Sequence, residues 1–145
     1  MALSKYFTLS ELTVSETAAR RGLKNMPFGK QLENLRQTAE RMDAIREHFG
    51  KAVIVTSGYR SPEVNAAVGG SKTSAHCQGL AVDFTIPALG TPLETARAIL
   101  AAGFEFDQLI HEFSSWVHIG FAEPGKPARH QVLTINKRGT LTGLQ

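Results

Sequence analysis

Ser74-Ala75-His76-Cys77-Gln78-Gly79-Leu80-Ala81-Val82-Asp83-Phe84 is the stretch from which the rest of the chain is read. Its second half alternates: Leu80, Val82 and Phe84 fall on one face of an extended strand, Ala81 and Asp83 on the other. Three apolar side chains claim the core, so Asp83 faces a cleft or water. The same alternation in Trp116-Val117-His118-Ile119-Gly120-Phe121 sends Val117, Ile119 and Phe121 inward and Trp116, His118 and Gly120 outward. His118 then shares a face with Asp83. His76 lies an odd seven residues before Asp83, which on a straight strand would point the two apart. Gly79 stands between them and offers the bend or bulge that brings them together. Two histidines and a carboxylate suit zinc, and three protein ligands leave a position for water, as a catalytic ion requires.

Upstream, apolar residues recur every three or four positions at Leu32, Leu35, Ala39, Met42, Ile45 and Phe49, which predicts a long amphipathic helix over 30–49 stopped by Gly50. Thr8 with Glu11, and Thr91 with Glu94, have capping-box spacing, and the helices they introduce should end at Gly22 and Gly103. Ser61-Pro62-Glu63 opens a short helix ending at Gly69-Gly70. Strands are expected at 51–56, 80–86, 107–113, 116–121 and 132–136, the third and fourth joined as a hairpin through Ser114-Ser115. This mixed order, with little βαβ alternation, predicts an α+β fold with a mainly antiparallel sheet flanked by helices.

At 145 residues the chain fits one domain, 1–145, large enough to hold a core without disulfide or structural metal, so a metal here would serve chemistry. The single cysteine, Cys77, excludes an internal disulfide and a cysteine-based zinc finger. We read it as a small buried thiol. Charge +3 and a pI near 9.2 bias the protein mildly toward anionic partners, among them nucleic acid and bacterial cell wall. The basic residues are spread along the chain without aromatic neighbours, which argues against a nucleic-acid partner. Lys126, Arg129 and His130 form a short basic cluster that would touch a wall polymer or simply be solvated. No run of about 18 apolar residues predicts a membrane span. The opening MALSKYFTLSELTVSE lacks the pattern of an export signal, so a cytosolic product is expected.

Ser74-x-His76-x-x-Gly79-x-Ala81-x-Asp83, preceded by Ser57-Gly58-Tyr59-Arg60-Ser61 and followed by Trp116-Val117-His118, resembles the M15 zinc peptidases over roughly residues 5–140. That family includes D-alanyl-D-alanine carboxypeptidases, VanX-type dipeptidases and phage endolysins. The resemblance implies the hedgehog/DD-peptidase fold and one zinc ion (Zn2+) held by His76, Asp83 and His118. It also implies that Arg60 and Ser74 lie against the substrate, and that the substrate is the peptide stems of peptidoglycan. Lacking a signal and ending in a Gln131-Val132-Leu133-Thr134-Ile135 strand, the chain is most similar to phage and prophage members. A monomer reaching the wall after release from the cell, or as part of a virion, is the matching expectation.

One position departs from the family. Several branches place a catalytic Glu three residues before the last zinc ligand, or a histidine close ahead of it; here those places hold Ser115 and Trp116. Glu112 and His111 are the remaining candidates for general base, and hairpin register decides between them. A two-residue turn puts His111 on His118's face; an odd loop puts Glu112 there. Glu112 is favoured, because a carboxylate is the usual proton acceptor beside a metal-activated water. Arg60 would meet the oxyanion or a substrate carboxylate, or else form a structural salt bridge. Ser74 would bind substrate or cap the turn before His76. Trp116 would line the cleft or pack. The alternative function is a non-catalytic wall-binding or virion module that keeps the fold.

Overall fold

The computed structural model describes residues 1–145. Thr8 and Glu11 form the expected capping box and open α1 (Leu9–Leu12). The chain breaks at Thr13, and Ser15 caps a second helix, α2 (Glu16–Arg21), which stops at left-handed Gly22. The long helix α3 (Gly29–Phe49) buries Leu35, Ala39, Met42 and Ile45, the stripe its periodicity announces.

Strand β1 (Ile54–Ser57) is shorter than expected at its start. Its pairing with β2 (Ala81–Thr85) begins at Ile54 opposite Thr85, and beyond Thr85 the partner turns into a 3-10 segment at Pro87–Leu89. Proline has no N–H to extend the ladder. Between these strands come α4 (Pro62–Ala67), capped by Ser61, and a 3-10 turn, Ala75–Gln78, just before Gly79. After β2, α5 (Pro92–Ala102) starts at the Thr91 capping box and ends at Gly103.

Then follow β3 (Gln108–Glu112), β4 (Trp116–Gly120), β5 (Gln131–Asn136) and β6 (Gly139–Thr142). The sixth strand is an addition to the five expected. Asn136 and Gly139, with φ +106° at Gly139, close a tight turn, and the Asn136 side chain accepts from Arg138 N–H at 2.8 Å. The sheet order is β1-β2-β4-β3-β5-β6, and every neighbouring pair is antiparallel except β3 with β5.

The two faces of this sheet differ. Val82, Phe84, Leu109, Val117 and Ile119 join Leu35, Ala39 and Met42 of α3 and Ala96 and Ile99 of α5 in one buried core. The opposite face carries Asp83 and His118, paired directly across β2 and β4, and is left open as a groove. This is the expected α+β domain: a mostly antiparallel sheet with its core-packing helices on one side.

The β3–β4 connection has three residues, Phe113-Ser114-Ser115, with Glu112 opposite Trp116. Ser115 N–H donates to the Glu112 carbonyl at 3.0 Å, while Phe113 and Ser114 have φ of +50° and +55°. Positive φ at both central residues is the mark of a type I′ turn, which costs a non-glycine residue roughly 1–2 kcal/mol.

Candidate active site

His76 is held in place by its own turn and by its neighbours. Ser74 Oγ accepts the His76 backbone N–H at 3.2 Å and caps the 3-10 turn, and left-handed Gly79, φ +74°, ends it. A Cβ on Gly79 would lie 2.5 Å from the Gln31 carbonyl oxygen, so no other residue fits this bend without displacing α3. The seven-residue separation is thus reconciled by a 3-10 turn, a bend rather than a bulge. Helix α3 clamps the turn: Asn34 Nδ2 donates to Gln78 O at 2.9 Å, and Thr38 Oγ1 donates to Gly79 O at 2.7 Å. Neither clamp was anticipated from sequence. Their i, i+4 spacing beside the apolar stripe was the available signal, since buried polar side chains there must find partners.

Three donor atoms converge on the groove floor. His76 Nε2 is 3.2 Å from Asp83 Oδ1, and His118 Nδ1 is 2.8 Å from the same oxygen. All three side chains are buried, and one donor atom from each lies within 4.8 Å of the others. His76 Nδ1 stands 2.7 Å from the Gly58 carbonyl, which can only accept, so this nitrogen carries the proton. A neutral His76 then turns the lone pair of Nε2 toward the Asp83 carboxylate. Burial drives the His76 pKa below its ordinary value, partly offset by Asp83. Burial alone would raise Asp83, but its hydrogen bond with His118 outweighs that and holds it well below the carboxylate range. A lone pair and an anion facing each other at this distance suit a shared cation, and two imidazoles with one carboxylate are donors zinc accepts.

Glu112 stands beside this cluster because the odd loop sets the register: Ile110, not His111, pairs with His118. Its Oε1 is 3.9 Å from His118 Nδ1, and its Oε2 accepts from Trp116 Nε1 at 3.1 Å. Burial, then the Asp83 charge, raises its pKa above the usual value. His111 is corrected as a site residue. It shares Val117's face, is buried, and its Nδ1 lies 3.0 Å from the Gln145 backbone oxygen. Trp116 sits behind two groove-lining residues: its indole N–H donates to Glu112, and its ring lies 6.0 Å from that of Phe113.

Arg60 lines the groove, and its buried Nε donates to nothing in the protein. Its backbone is held by Arg60 N–H donating to His76 O at 3.2 Å, while Asn25 braces the same loop through Tyr59 O and Ser61 N–H. Ser74 lines the groove as well as capping the turn. The groove measures about 1150 Å³ and runs from the Val68–Ser74 side to Lys126 and Arg129. The basic cluster is largely neutralised there, Lys126 by Glu123 at 3.0 Å and Arg129 by Asp107 at 2.7 Å. Cys77 is half-buried, and burial raises its thiol pKa.

Residues 5–120 match the family model described as Peptidase M15. The chain belongs to the M15 peptidase family. No curated protein matches it. As an M15 member it is a metallopeptidase acting on peptides, from a family of zinc enzymes, and its His76–Asp83–His118 cluster has the donors that such an ion takes. No helix of this M15 peptidase is long and apolar enough to cross a membrane.

Proposed function

We propose that this M15 peptidase hydrolyses peptide bonds in the stems or cross-links of bacterial peptidoglycan. In this reading His76 Nε2, Asp83 Oδ1 and His118 Nδ1 hold one zinc ion. When bound, zinc supplies Lewis acidity toward the peptide carbonyl and makes a water acidic enough to attack at neutral pH. Glu112 Oε1 takes the proton from the attacking water and passes it to the leaving amine. Its raised pKa brings it closer to neutrality and suits both halves of that exchange. Trp116 keeps Oε2 occupied, so Oε1 is the oxygen left to face the site. The Arg60 guanidinium, with an uncommitted buried N–H, meets the developing oxyanion or a substrate carboxylate.

The observation that carries this reading is the convergence of two imidazoles and a carboxylate on the floor of an open groove, with Glu112 3.9 Å away. The net charge of +3 suits an anionic wall polymer. We place the action at the wall, reached after release from the cell or as a virion component. Zymography on purified sacculi, with and without chelator, tests the reading. Clearing that chelator abolishes and zinc restores supports it, and no clearing under any metal condition contradicts it. Mass spectrometry of the released muropeptides then assigns the bond, distinguishing carboxypeptidase from endopeptidase.

A further inference from the structure

Phe113 is a poor choice for the turn it occupies. Both central positions of the Glu112–Ser115 turn have positive φ, a geometry favouring asparagine, aspartate or glycine, yet the first of them carries a phenyl ring. The core does not explain it, because the side chain is 50% exposed. Its ring neighbour is Trp116, with centroids 6.0 Å apart. The tip is nonetheless well anchored: Phe113 N–H donates to Ile135 O at 2.7 Å. Phe113 and Val68 are the exposed large apolar side chains that line the groove. Phe113 is also the residue next to Glu112 in the chain. Strained backbone conformations cluster at active sites and ligand clamps, and this one lies at the groove lip.

We infer that Phe113 is a specificity-determining residue, its ring taking an apolar side chain of the peptide beside the scissile bond. The inference rests on the groove being the peptide site. Val68, just after α4, gives the same groove a second apolar surface. An aromatic lip of this kind favours a methyl-bearing residue at that subsite over a charged one.

Phe113→Asn and Phe113→Tyr test it, with a peptidoglycan stem pentapeptide as probe. Asparagine suits the turn, so Phe113→Asn should melt at or above the wild-type temperature and keep its zinc content. Its KM should rise about fivefold or more with kcat within about twofold, and Phe113→Tyr should restore wild-type KM. Calorimetric titration of the same peptide into chelator-treated protein should show a matching loss of affinity. Unchanged KM and Kd in Phe113→Asn would overturn the inference, as would a joint fall of melting temperature and kcat, which would mark the ring as structural. Should the wild type bind the peptide through Phe113 without cleaving it, the lip stands and the hydrolytic reading falls. Should it neither bind nor cleave, both fall.

Discussion

Glu112 has one oxygen held and one free. Trp116 Nε1 occupies Oε2, leaving Oε1 beside His118, and this division of labour is what a positioned proton acceptor needs. Glu112→Gln should therefore keep its zinc, because the glutamine retains the shape, while kcat drops about 10²-fold or more. Metal analysis beside steady-state kinetics checks both halves. Trp116→Phe removes the indole N–H together with one ring of the pair it makes with Phe113. It should lower kcat about tenfold, with any change in KM smaller than the change in kcat, since the lost hydrogen bond orients Glu112. A raised KM with normal kcat would return Trp116 to the substrate. Of these residues, Asp83 and His118 were readable from alternation alone, since strand parity is a local property. The Trp116–Glu112 bond was not, because it depends on the conformation of a three-residue loop.

At the scale of elements, the catalytic face is assembled by register. Ser57, Asp83, His118 and Ile110 line up across β1, β2, β4 and β3, so one slipped residue would exchange Glu112 for His111. The sequence left that choice open, and Phe113 and Ser114 in left-handed conformation close it. Glycine or asparagine would have announced the turn; Phe-Ser does not. The long helix was legible from its period, but its polar clamp on the 3-10 turn was not, because hydrogen-bond partners distant in sequence leave no periodic trace. Thr38→Val tests the clamp. The buried Gly79 carbonyl would lose its donor at a cost of about 1–3 kcal/mol, and the loosened His76 should weaken zinc affinity about tenfold. Calorimetry and a competitive zinc titration read the two effects separately.

At the scale of the molecule, stability and chemistry occupy opposite faces of one sheet. The packed face carries Phe84, Val117, Leu35, Met42 and Ile99, none of which depends on the metal cluster. The fold class was legible for that reason: helix and strand periods report burial, and burial here is one-sided. The sixth strand and the parallel pairing of β3 with β5 escaped because strand order is a long-range outcome. The chelated protein should accordingly remain folded and melt cooperatively. Zinc at about 100 times its Kd should add about 2.7 kcal/mol, raising the melting temperature by roughly 5–10 °C. Loss of secondary structure on chelation would instead make the ion structural.

The proposed chemistry requires one ion shared by His76, Asp83 and His118. Anomalous diffraction at the zinc edge, from crystals grown with the metal, tests this most directly. It should show a single peak bonded to His76 Nε2, Asp83 Oδ1 and His118 Nδ1 at about 2.0–2.2 Å. A peak elsewhere, or those three side chains bridged only by hydrogen bonds in zinc-saturated crystals, would contradict the account.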